Sequence, residues 1–325
     1  QASHTHRAPR IYRRQGTGMA AGLLTSVLLT NDLLDASRIE HMIWGGFACG
    51  GLLLSVHGLL GQSARQTGGR TAKVFVELQR KSFHMIGGCI ICSVYHYGIK
   101  FGVMAPAFDP NHLNSPTEAN PADRPLDAGI VFIAACLAVW MLEASRILIP
   151  AVQRWYLGSF KGLIREKEMR KAAGVAYFLP GALAAMLAAP SNIAILGILF
   201  LSIGDAASSL GTAAGMVSIG SSSRKVEGSI GCFAVCILLG MYAGLPAGVA
   251  CTAAGLVTFG ELLAEVIGLD DNFVLPMLTV VGVRLGLFPQ FQQLVTMMGL
   301  CLAVGVSLGL AVGATTPKEK QNREA

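Results

Sequence analysis

Between Leu201 and Ser229 the sequence reads LSIGDAASSLGTAAGMVSIGSSSRKVEGS: an apolar run that admits one carboxylate, then glycines, then two cations and a second carboxylate. An ionised Asp in a membrane-length apolar stretch costs roughly 3 kcal/mol on insertion scales, so Asp205 must face protein, water or a bound cation. Arg224, Lys225 and Glu227 follow within one loop's reach, and these side-chain types hold polyphosphate oxygens and a divalent cation. On a helix, Gly204, Ser208, Gly211 and Gly215 share a face that lets a second helix approach closely, with Asp205, Ser209 and Thr212 on an adjacent polar stripe. The bland reading of the same residues is a helix contact with a hydrogen-bonded buried Asp.

Two further clusters have chemical potential. In VELQRKSFHMIGG, Glu77, Arg80, Lys81 and His84 fall at i, i+3, i+4 and i+7, which stacks them on one helical face; interfacial snorkelling with an intrahelical ion pair would look the same. In GLDDNFVLP, Asp270, Asp271 and Asn272 offer closely spaced hard oxygens suited to Mg²⁺, and Pro276 restricts the helix behind them; an exposed turn is the plain alternative. Glu261 and Glu265 lie one helical turn apart near the end of the preceding apolar run. The Cys89-x-x-Cys92 pair has no second pair or histidines at zinc spacing, so it reads as packing.

These residues need elements to position them, and composition says what kind. The 325 residues are 53% hydrophobic and only 14% charged, with mean hydropathy +0.55, too apolar for an ordinary soluble domain. The expected fold is an all-α, polytopic membrane protein of about ten transmembrane helices. A basic arm (residues 1–16) and a solvated tail (315–325) flank a membrane domain (17–314). The net charge of +6 is confined to a few loops and speaks to orientation; there is no aromatic-interleaved basic platform, which argues against nucleic acid.

Apolar runs are expected as spans at 17–31, 41–62, 73–104, 128–149, 174–189, 192–216, 228–245, 248–267, 273–288 and 294–314. The loop from Ala105 to Asp127 carries five prolines that exclude helix and strand, and its charges are mainly acidic. The stretch after Pro150 is the most basic loop. A cytosolic N terminus puts every basic loop inside and the acidic loops outside. It also puts QRKSFH, the Arg224 loop and GLDDN on one face. Arg284 is a cation within an apolar run and has no evident partner in the sequence.

Four blocks together resemble the CTP-dependent lipid kinases, the family of dolichol kinase, phytol kinase and the CTP-using diacylglycerol kinase of the endoplasmic reticulum. The family's E-x-x-R-K-x-x-H is similar to Glu77, Arg80, Lys81 and His84. Its G-D-x-x-A-x-x-x-G-x-x-x-G is similar to Gly204 and Asp205 with Gly211 and Gly215, although Ser208 takes the Ala position. Its K-S-x-E-G-S falls on Arg224 to Ser229, with Arg224 and Lys225 in place of K-S. Its D-N-x-x-x-P matches Asp271, Asn272 and Pro276. The G-D and E-G-S blocks also resemble phosphatidate cytidylyltransferases.

The resemblance implies a membrane-embedded kinase that transfers a phosphoryl group from CTP to a lipid alcohol. Diacylglycerol is the first acceptor and dolichol, another polyprenol or phytol the alternative. It implies Mg²⁺ at Asp205, Asp271 and Asn272, and polyphosphate at Arg80, Lys81, Arg224 and Lys225, supported by Gly211, Gly215 and Glu227. His84 or an Asp would accept the hydroxyl proton. The expected location is the endoplasmic reticulum, site towards the cytosol, or else a plastid or other envelope. Cytidylyltransfer and then transport along a midplane path through Asp205 and Arg284 rank behind. No G-x-x-x-x-G-K-[ST] occurs, so a P-loop is excluded.

Overall fold

Proline and glycine punctuate the helices. The computed structural model describes residues 34–67, 69–108, 125–159, 171–219 and 223–297. The expected basic arm, first span, tail, most of the last span, the middle of the proline-rich loop and most of the basic loop after Pro150 lie outside them. Helices α1 (Ala36–Thr67) and α2 (Gly69–Lys100) come first, then α3 (Ala128–Leu148) and α4 (Pro150–Ser159). They are followed by α5 (Val175–Ala188), α6 (Ser191–Leu199), a π turn (Phe200–Gly204) and α7 (Asp205–Ala214). Last come α8 (Val226–Ala243), α9 (Ala247–Ile267), α10 (Asp271–Gly286) and a helical stretch from Pro289 to Met297.

The boundaries follow local chemistry. The Asp127 carboxylate caps α3 by accepting from the Ile130 amide at 3.3 Å, and Asp270 caps α10 by accepting from the Asn272 amide at 3.0 Å. Gly244 (φ 111°) and Gly268 (φ 73°) end α8 and α9 in the left-handed conformation that only glycine adopts cheaply. Where the proline-rich loop was expected to exclude strand, its two ends form short parallel strands, β1 (Met104–Ala105) and β2 (Leu126–Asp127). The prolines lie between those ends and leave both free to pair.

The centre of the molecule is α6 with its π turn: Ala194 to Leu199 are apolar or glycine all round, and α2, α5, α8 and α10 all pack on this segment. A helix apolar on every side belongs in a core or a membrane. Five helical segments are long and apolar enough to cross a bilayer: Ala36–Leu60, Ala128–Leu148, Ser191–Ala214, Val226–Ala243 and Ala247–Ala264. A sixth arises if Asp271–Gly286 and Pro289–Met297, bent by 116°, count as one crossing. The chain is thus all-α with membrane-spanning helices, but ten crossings are not found among the described residues. The reasons are physical. At 14 residues α5 falls short of the ~20 that a bilayer core requires, α10 turns sharply, and α2 carries Arg70, Lys73, Glu77, Arg80 and Lys81 in its first half.

Contacts define two ends of the bundle. At one, the Asp35 amide donates to Ala243 O at 3.1 Å, and the Asn192 carboxamide donates to Leu34 O. Arg284 finds its partner here, donating to Ala188 O at the C-terminus of α5, where a cation suits both the free carbonyl and the helix dipole. Glu40 meets His96 (3.0 Å) and Lys100 at the same end. The polar blocks of α2, α7, Arg224, α9 and α10 collect at the other. Single cysteines at Pro125 and Ser223, in a background without native cysteines, should therefore react with an impermeant maleimide from opposite sides of sealed vesicles. Same-side labelling would contradict this arrangement.

Candidate functional site

Asp205 opens α7 directly after the π turn, and such a turn inserts an extra residue that re-aims the helix following it. The carboxylate is thereby swung into the interior, 1% exposed. Lys81 of α2, 3% exposed, donates to Asp205 Oδ2, and His84 Nε2 lies 3.5 Å from the same oxygen. The His84 ring is held edge-on against Phe178, with centroids 4.9 Å apart. The helical spacing that put Lys81 and His84 on one face therefore delivers both to Asp205, 124 positions beyond Lys81.

The Arg224 guanidinium bridges two further carboxylates. Nη1 donates to Glu261 Oε1 on α9, and Nη2 donates to Asp271 Oδ2 on α10 at 2.8 Å. Burial on its own would lower the proton affinity of Arg224, but Glu261, Asp205 and Asp271 outweigh it and raise that affinity above the ordinary value. The guanidinium is a fixed cation. Asp205, Glu261 and Asp271 each bring a carboxylate oxygen within 4.8 Å of the other two. Three carboxylates face the two cations Lys81 and Arg224.

The donor set fits a hard divalent cation. Mg²⁺ takes oxygens at ~2.0–2.1 Å, so its ligands stand roughly 3 to 4 Å apart, compatible with this trio. Asp205 Oδ1 is buried without a hydrogen-bond partner, an orphan acceptor that a cation would satisfy.

Other expected site residues are placed differently. Arg80 pairs with Glu77 on its own helix (3.2 Å) and lines the cavity without joining the carboxylates. Lys225 donates to Ser218 Oγ at 2.5 Å, and the two residues also form an isolated antiparallel bridge ahead of α8. Glu227 accepts from the Met216 and Val217 amides at 2.7 and 3.2 Å, which orients the segment after α7. Gly211 and Gly215 serve close approach: a Cβ on Gly211 would stand 2.8 Å from Gly228 Cα, and one on Gly215 2.6 Å from Glu227 Oε2. Asn272 donates its Nδ2 to Asp270 Oδ1 at 2.8 Å and sits against Gly174, while its Oδ1 is buried without a hydrogen-bond partner; the third carboxylate of the trio is Glu261.

Glu261 was missed as a site residue from sequence. The signal was present, because a carboxylate inside the apolar segment Ala247–Ala264 raises the same question that singled out Asp205. The Glu143–Arg146 pair of α3 also proves buried; it receives the Ala173 amide at 2.9 Å and donates to Lys171 O at 2.6 Å, pinning the approach to α5.

Lys81, His84, Asp205, Arg224, Lys225, Asp271 and Asn272 border one cavity of 1690 Å³, and Glu261 stands behind its wall. Pockets for single small molecules span about 300–1,000 Å³, so this one has room for more than one. No protein-family model, curated protein or solved structure matches the chain.

Proposed function

We propose that this chain is a membrane-embedded CTP-dependent lipid kinase that phosphorylates the hydroxyl of a lipid alcohol, with diacylglycerol as acceptor and phosphatidate as product. One observation carries the reading: Lys81, Asp205, Arg224 and Asp271, drawn from four separate stretches, converge at one end of one cavity. Phosphoryl transfer asks little covalent chemistry of a protein; it needs cations on the donor phosphates and a hydroxyl aligned for in-line attack.

Asp205, Glu261 and Asp271 would hold Mg²⁺, which when bound spreads the charge of the transferring group. Lys81 and Arg224 are placed to meet donor oxygens, Arg224 through a planar fork and Lys81 as a point charge. The lipid hydroxyl oxygen attacks the γ-phosphorus, the bond to the β-phosphate oxygen breaks, and CDP leaves. His84, next to Asp205, takes the hydroxyl proton. Donor identity, the endoplasmic reticulum location and the cytosol-facing site rest on the sequence resemblance.

The test is a nucleotide and acceptor panel with purified protein in mixed micelles, at equal surface concentrations of diacylglycerol, dolichol and phytol. Labelled phosphatidate should form from CTP and persist under excess ATP. Faster transfer to dolichol or phytol would change the acceptor and keep the kinase. Transfer from ATP alone, or to no lipid at all, would end the proposal.

A further inference from the structure

The cavity does not stop at the charged cluster. It continues along an apolar wall built by Gly87 and Ile91 of α2, Val139 and Leu142 of α3, and Tyr177 and Phe178 of α5. Among the described residues, α2 packs on α1, α6 and α7, whereas α3 packs on α4 and α5. Helices α2 and α3 touch where the Tyr95 and Phe132 rings meet edge-on, centroids 5.9 Å apart, and the cavity stands between them on the Asp205 side of that contact. Its lips are apolar and outward-facing: Phe83 on α2 is 43% exposed and Leu142 on α3 is 40% exposed.

Two neighbouring glycines show which face of α2 is sealed and which is open. A Cβ on Gly88 would run into the Ser202 side chain, so that face is closed against the core. A Cβ on Gly87 would meet nothing within 4 Å. Whatever fills this space must be apolar along Ile91, Val139 and Phe178 and polar where the cavity reaches Lys81 and Asp205. Such a ligand is an amphiphile, and the surrounding phase that supplies it is the bilayer.

We infer that the groove between α2 and α3 holds the hydrocarbon chain of the acceptor lipid, which slides in sideways from the membrane and so brings its hydroxyl to the Asp205 end. The identity of the head group rests on the kinase reading; the groove does not. Gly87 is then the gauge of the groove, since a side chain placed there starts into open space where the lipid chain would lie.

The experiment uses the full chain in vesicles with a diacylglycerol carrying a diazirine in one acyl chain. After irradiation, adducts should map to residues 83–91 of α2 and 139–142 of α3. In Gly87→Phe, adducts at these positions should vanish and KM for diacylglycerol should rise at least tenfold, with KM for CTP unchanged. Gly51→Phe, on α1 where a Cβ also meets nothing within 4 Å, should leave labelling and KM as they were. Wild-type adducts confined to other helices would overturn the groove without reference to any variant. So would an unchanged KM for diacylglycerol in Gly87→Phe, which leaves the kinase reading intact. Adducts on α2 and α3 without phosphatidate formation would uphold the groove and remove the kinase.

Discussion

Asp205→Asn lowers phosphoryl transfer by at least about 10²–10³-fold, the scale seen when one fixed electrostatic element of a transition state is removed. The substitution keeps the shape and deletes the charge that Mg²⁺ needs. It also strands Lys81, which is 3% exposed and donates to Asp205. Breaking one partner out of a buried ion pair costs about 3–5 kcal/mol, so loss of fold competes as an explanation. Asp205→Asn combined with Lys81→Met separates the two, because it removes both charges and restores a neutral contact. Thermal unfolding in detergent should recover towards wild type in the double variant while activity stays lost. An active double variant would make the pair structural.

Glu261→Gln is expected to lower turnover by about 10²-fold and to raise the Mg²⁺ concentration for half-maximal activity by about tenfold. Gln can still accept from Arg224, so the isostere tests charge more than packing. Glu261 is 1% exposed and shares its oxygen neighbourhood with Asp205 and Asp271. Were it only a counter-ion for Arg224, turnover would fall with the Mg²⁺ dependence unmoved. Mn²⁺ binding followed by electron paramagnetic resonance gives a second readout, and it should weaken in Glu261→Gln whether or not activity is measurable.

Much of the frame was readable because apolar runs and their punctuation are local signals. Pro150, Pro190, Gly244, Pro246 and Gly268 stand at or next to helix boundaries. Asp205 was readable because an ionised group in such a run is costly unless it has a partner. The face shared by Glu77, Arg80, Lys81 and His84 was readable too, but a 3.6-residue period cannot say which pair turns inward. Packing decides: Lys81 and His84 reach Asp205, whereas Glu77 and Arg80 satisfy each other.

What sequence concealed lies mostly in tertiary geometry. Gly211 and Gly215 have the composition of a phosphate cradle and equally of a close helix contact; the fold shows the close approach of α8 to both and places Gly215 on the cavity wall. Glu261 carried the same signal as Asp205, a carboxylate inside an apolar run, but its pairing with Arg224 is set only by the fold of α9 against α10. The π turn ahead of Asp205 leaves no mark in composition. Nor does Pro289 reveal that the chain will bend by 116° there.

The central claim is that the convergent cluster around Asp205 transfers phosphate to a lipid. γ-Labelled CTP with diacylglycerol, given to purified wild type, Asp205→Asn and the double variant Asp205→Asn with Lys81→Met, with Mg²⁺ or with EDTA, tests it most directly. Labelled phosphatidate should appear with wild type and Mg²⁺ alone. Its absence there, or its formation at wild-type rate by either variant, would contradict the assignment.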